Sequence, residues 1–182
     1  MPPPAPEFSR IVSVTRISPK GIEEQVECRP AERAALAKRF DLVDLSSLKA
    51  ELTLTPESQN VLVTGSIEAD LVQRCVVTLE PITSHFDLNV DVLFIPAEEN
   101  KTGAGSPEPD DMDNEFELFS GGKIDIGEMV AQQFGVNIDP YPRKANAALP
   151  ATEFGTKIEE IHPFAALAQA VENKKNNAKT ED

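Results

Sequence analysis

Between Val61 and Leu79 the apolar residues Val61, Val63, Ile67, Ala69, Leu71, Cys75, Val77 and Leu79 all occupy odd positions. Thr64, Ser66, Glu68, Asp70, Arg74, Thr78 and Glu80 occupy even ones. Successive side chains of a strand point to opposite faces, so this parity lets an extended chain bury one face and wet the other. A helix would scatter the same residues around its axis. The pattern predicts one long strand, or two collinear ones, over 61–80 in an antiparallel sheet with one solvated face. Gly65 and the polar Gln73 are the expected bend or bulge points.

The flanking segments repeat the pattern. Leu48, Ala50, Leu52 and Leu54 alternate with Lys49, Glu51, Thr53 and Thr55, which predicts a strand over 45–55. Phe86, Leu88, Val90, Val92 and Phe94 alternate with Asp87, Asn89 and Asp91, which predicts another over 84–95. The connections fall at Pro56–Asn60 and at Pro81–Ser84. Further strands are expected at Phe8–Ile17, Glu24–Cys28 and Glu115–Phe119. Pro30 suits the first position of a helix over 30–39, with Leu36 and Phe40 on its buried face. A second helix opens near Ile124, with Asp125 as N-cap and Glu128 at N3. It carries Ile126, Met129, Val130 and Phe134 inward and is stopped by Asp139-Pro140-Tyr141-Pro142. A short apolar helix is expected within 159–171.

The expected architecture is α+β: a bent antiparallel sheet, a meander able to form a partial barrel, packed with two or three helices. One domain is expected over 8–171, between a Pro-rich tail at 1–7 and a polar tail at 172–182. Residues 97–115 are acidic, lack an apolar period and read as a mobile loop.

Charge is distributed unevenly. Of the net −14, residues 1–40 contribute +2, residues 41–142 contribute −16 and residues 143–182 contribute zero. An acidic middle repels phosphates, whereas nucleic-acid binders cluster Lys and Arg. Only the first forty residues offer a basic patch, in which Arg29, Arg33, Lys38 and Arg39 are the candidate RNA contacts. The acidic middle suits basic protein partners better than RNA or an anionic membrane. Its candidate partner-binding carboxylates are Glu98, Glu99, Asp110, Asp111 and Asp113. Their spacing does not match a calcium-binding EF-hand loop.

Catalytic patterns are absent. There is no H-E-x-x-H, C-x-x-C, phosphate-binding glycine loop or G-x-S-x-G elbow. Cys75 and His85 lie on adjacent predicted strands, but their parity places them on opposite faces. Neither an enzymatic activity, a cofactor nor a metal is expected. No run of apolar residues is long enough to span a membrane. Met1-Pro2-Pro3-Pro4 does not read as a secretory signal, so a cytoplasmic location with two reduced cysteines is expected.

Three segments carry a family resemblance. The first runs from Val63-Thr64-Gly65-Ser66-Ile67-Glu68-Ala69-Asp70-Leu71 to Cys75-Val76-Val77-Thr78-Leu79-Glu80-Pro81. The second runs from Ile124-Asp125-Ile126-Gly127-Glu128-Met129-Val130 to Ile138-Asp139-Pro140-Tyr141-Pro142. The third is His162-Pro163-Phe164-Ala165-Ala166-Leu167. Together, over roughly 8–171, they resemble the YceD family, the large ribosomal RNA subunit accumulation proteins, in an alphaproteobacterial form. Many members carry C-x-R-C before Leu-Glu-Pro; here Val77 and Thr78 stand where the arginine and second cysteine would be. A paired-cysteine metal or redox role is therefore closed to this chain.

The resemblance implies a non-enzymatic role in large-subunit biogenesis, promoting accumulation of 23S ribosomal RNA. The implied partners are ribosomal proteins or a pre-ribosomal particle, with no membrane and no small-molecule substrate. Phe164 and Leu167, three apart, form a candidate docking segment beside the reading of a helix packed on the protein's own sheet. The competing reading is a general acidic interaction module that affects ribosomal RNA indirectly.

Overall fold

In the computed structural model, residues 6–97 and 115–147 are described. The chain divides into units Met1–Ala145 and Asn146–Asp182, and all the elements below belong to the first. They are β1 (Ile11–Ser13), β2 (Ile22–Glu27), α1 (Pro30–Arg39), β3 (Asp44–Glu57), β4 (Asn60–Arg74), β5 (Pro81–Pro96), β6 (Glu115–Phe119), β7 (Lys123–Asp125) and α2 (Ile126–Asn137). A single 3-10 turn, Val14–Arg16, follows β1.

The fold is α+β. Strands β2, β3, β4, β5 and β6 form one five-stranded sheet in that order, and β1 pairs with β7 in a separate two-stranded sheet. Alternation decides the faces. Leu48, Ala50, Leu52 and Leu54 of β3, Val61, Val63, Ile67 and Ala69 of β4, and Val90, Val92 and Phe94 of β5 are buried. The polar residues between them face solvent. A register shift between Leu45 and Ser47 marks the irregularity in β3, whereas β4 pairs without slippage through both Gly65 and Gln73. Gly65 has another function. At φ 154° a Cβ there would stand 2.0 Å from the Glu51 carbonyl oxygen, so only glycine lets β3 pass this close.

The helices cap the core. α1 begins with Pro30 at its first turn and buries Leu36. α2 is capped by Asp125, whose carboxylate accepts the Gly127 and Glu128 N–H groups at 3.1 and 3.2 Å. The same carboxylate accepts the Arg10 N–H at 2.7 Å and so ties β1 to the helix start. Phe134 of α2 packs edge-on against Phe40 and Phe86, with ring centroids 5.6 and 5.2 Å away. Gly135 leaves room for the Phe40 ring.

Several expectations are corrected. The sheet is mixed rather than purely antiparallel, because β6 runs parallel to β5. A parallel neighbour needs a long connection, and the chain between Pro96 and Glu115 supplies one. The sheet does not form a closed barrel among the described residues, since β2 and β6 each pair on one side only. The first strand is three residues long rather than spanning Phe8–Ile17. β4 ends at Arg74, and the turn lies at 75–80 rather than 81–84. Leu79 is accordingly exposed, not core. β7, absent from the sequence reading, precedes α2. The helix expected within 159–171 lies outside the described residues.

Candidate functional site

The solvent face of the five-stranded sheet is a grid whose rows follow from register. Leu62 of β4 lies beside Leu93 of β5, which lies beside Phe116 of β6. In the next row Glu23, Thr53, Thr64 and Asp91 stand side by side across β2 to β5. Gln25, Glu51, Ser66 and Asn89 follow, then Glu27, Lys49, Glu68 and Asp87. Asp70 and His85 form a further pair. These rows bring together seven carboxylates (Glu23, Glu27, Glu51, Glu68, Asp70, Asp87, Asp91) against a single lysine. A groove of about 710 Å³ crosses the face above Gly65, between Glu23, Glu51 and Asp91.

The lysine and the histidine of the grid are already engaged. Lys49 Nζ sits 2.8 Å from Glu68 Oε2. That pairing holds the Glu68 carboxyl below its ordinary range. His85 Nδ1 lies 2.8 Å from Asp70 Oδ1, and this hydrogen bond raises the imidazole pKa above its ordinary value. Ser47 Oγ donates to the other Asp70 oxygen at 2.8 Å. Glu23, Glu27 and Asp87 have no cation partner among the described residues. The face is therefore electronegative at neutral pH.

The candidate RNA contacts cluster on and beside α1, but packing diverts two of them. Arg39 reaches Glu7 at 3.0 Å and Glu128 of α2 at 3.1 Å. Arg33 donates to the Cys28 carbonyl at 2.8 Å. Arg29 and Lys38 remain exposed. The strongest ion pair nearby is structural. Both terminal nitrogens of Arg10 contact the Glu32 carboxylate at 2.8 Å, and hydrogen bonding to Arg10 draws the Glu32 pKa down to about 2.

Glu98, Glu99, Asp110, Asp111, Asp113, Phe164 and Leu167 lie outside the described residues. The structure instead presents a surface the sequence reading missed, comprising Glu23 and Glu27 of β2 and the apolar row. The signal was available for β2, where Glu23, Gln25 and Glu27 alternate with Ile22 and Val26. It was unavailable for Phe116, whose neighbour depends on the parallel docking of β6.

Two resemblance-bearing segments meet at the far end of β4. Val76 N–H donates to the Pro142 carbonyl at 2.9 Å, Gln73 Nε2 to the Asp139 carbonyl at 2.8 Å, and Lys144 Nζ to Glu80 at 2.7 Å. Leu79 adopts φ 60° in this turn, a left-handed conformation costing a branched-chain residue roughly 1–2 kcal/mol. Cys75 is covered by its own turn rather than sunk in the main core. Its sulfur accepts the Thr78 N–H at 3.4 Å. Hydrogen bonds from Thr78 and the Lys144 backbone lower the thiol to about 6. Cys28 differs: desolvation pushes it up to about 12. His85 is committed to Asp70 on the solvent face, so Cys75 and His85 do not form a nucleophile–base pair. No group of three metal-ligating side chains occurs among the described residues. None of the helices described is long and apolar enough to cross a membrane.

The fold and this grid define an acidic α+β protein whose most developed site is an exposed sheet face. The family model for the large ribosomal RNA subunit accumulation protein YceD matches residues 63–169, well over half of the chain, and the chain belongs to the YceD family. The match begins within β4 and takes in β5, β6, β7 and α2. No curated protein and no solved structure matches the chain. The family name connects the chain with accumulation of large-subunit ribosomal RNA.

Proposed function

We propose that this protein is a non-enzymatic, cytoplasmic factor in large ribosomal subunit biogenesis that shields a basic ribosomal protein, or the basic extension of one, before it meets RNA. Family membership carries the ribosomal part of this reading. The charge of residues 41–142 supports the choice of a basic protein over RNA as the direct partner. Engagement of Arg33 and Arg39 within the fold leaves Arg29 and Lys38 as a small cationic surface, which weakens the case for direct RNA binding. The acidic stretch bearing Glu98, Glu99, Asp110, Asp111 and Asp113 would add carboxylates to such a contact, and Phe164 and Leu167 would add an apolar anchor.

The test is the ratio of large-subunit to small-subunit ribosomal RNA in a strain lacking the protein, with a complemented control. A selective fall in the large-subunit RNA, restored by complementation, is expected. An unchanged ratio would refute the ribosomal role and favour a general interaction module.

A further inference from the structure

The solvent face of the sheet combines two features that a merely solvated face would not need. One is its excess of carboxylates over the groove. The other is the row formed by Leu62, Leu93 and Phe116, continued by Leu118 beside the buried Ile95. Phe116 is 40% exposed and Leu118 50%, at one border of an otherwise polar face. Among the described residues the core cluster lies on the opposite face and includes none of Leu62, Leu93, Phe116 and Leu118.

The rows also have an order. Along β5, Leu93 precedes the groove and Asp91, Asn89 and Asp87 follow at every second residue. Alternate residues of an extended chain are separated by about 6.8 Å, whichever strand they belong to. A second extended chain lying along this face would therefore set its own alternate side chains opposite successive rows. One apolar side chain would meet Leu93 and Phe116. The next two on that side would meet the Glu23–Asp91 row and the Glu51 row. Charge complementarity decides what those two must be, because phosphates and carboxylates are repelled there.

We propose that the solvent face of β2 to β5, with the apolar row at its β6 border, is the docking surface for an extended, lysine- and arginine-rich protein segment. Its recognition pattern is an apolar residue followed at alternate positions by at least two basic ones. This deepens the ribosomal reading and rests on it for the identity of the natural partner, but not for the surface itself. Backbone conformation is supplied by the partner, while specificity comes from the order of the rows. The row beyond keeps Glu27 and Asp87 without a cation partner after Lys49 pairs with Glu68, so the acidic track continues past the Glu51 row.

The probe is a synthetic peptide, Leu-Thr-Lys-Thr-Arg-Thr, titrated into the isotope-labelled full chain and followed by amide chemical shifts. Perturbations centred on Glu23, Glu51, Asp91 and Phe116 are expected. A peptide with Glu in place of Lys and Arg should not bind. The double variant Glu23→Lys, Glu51→Lys should weaken binding on the order of tenfold or more. Phe116→Ser should weaken it at high salt as well as low, because its contribution is apolar. All three positions are exposed, and the wild-type shift map stands even if a variant fails to fold. Perturbations confined to the turn at 75–80 or to α1 would overturn the proposal. So would unchanged affinity in the folded double variant, or an RNA oligonucleotide that binds this face as tightly as the peptide. The double variant introduced into the deletion strain separates the two readings. Full restoration of large-subunit RNA by it would reject the surface and leave the ribosomal role standing. Peptide binding on this face with no RNA defect on deletion would uphold the surface and reject the role.

Discussion

The contact between Arg10 and Glu32 joins the start of β1 to the first turn of α1 and makes a sharp pH prediction. Both guanidinium nitrogens lie 2.8 Å from the carboxylate oxygens, and the two side chains are 25% and 18% exposed. Glu32 also accepts the Arg29 N–H at 2.7 Å, which satisfies a donor at the helix start. These hydrogen bonds, that of Arg10 foremost, lower the Glu32 pKa from 4.5 to about 2. One pKa unit corresponds to about 1.4 kcal/mol, so the ionised carboxylate stabilises the fold by about 3 kcal/mol. Because the folded pKa is depressed, this contribution is complete above the unfolded pKa of 4.5 and is lost as pH falls through about 2. Glu32→Gln should therefore cost about 2–3 kcal/mol at neutral pH, a fall in Tm of roughly 4–12 °C for a chain of this size. The assay is urea unfolding of both proteins from pH 7 down to the lowest pH at which they fold. The gap between them should be constant above pH 4.5 and narrow steadily below it. A gap that does not change over the acid range would refute the assignment of a strongly depressed carboxylate.

Two other outcomes follow from the geometry. Gly65→Ala should destabilise the protein by about 2 kcal/mol or more, because its Cβ would meet the Glu51 carbonyl oxygen at 2.0 Å and backbone must move; a thermal melt matching the wild type would contradict the close approach. The His85 imidazole should titrate above its ordinary 6.5 by NMR, and Asp70→Asn should bring it back down, since the hydrogen bond to Asp70 is the largest cause of the shift.

Local chemistry made much of the secondary structure legible. The helix at 30–39 needed only Pro30 and a run of good helix formers, and its bounds match those of α1. The Asp125 cap was readable because a capping carboxylate acts on N–H groups two and three residues away. Alternation identified the buried residues of β3, β4 and β5 because strand periodicity is a property of each segment alone. The same rule failed at Val77 and Leu79. Their odd parity continued past Arg74, yet the turn that ends β4 is held by Pro142 and Glu80, which parity does not register.

What tertiary structure alone decided is which distant groups meet. The basic residues of the first forty looked interchangeable as a sequence patch. Folding gives Arg10 to Glu32 and Arg39 to Glu7 and Glu128, with Glu128 eighty-nine residues away from Arg39. Likewise, the sequence by itself determined that Glu23, Glu51 and Asp91 belong to strands in an acidic chain. Only register set them in one row or adjacent rows, and only the parallel docking of β6 placed Phe116 beside Leu93. The reason is physical. Side-chain alternation and helix capping act within a few residues, whereas strand order and register are settled by burying one shared core across the whole sheet.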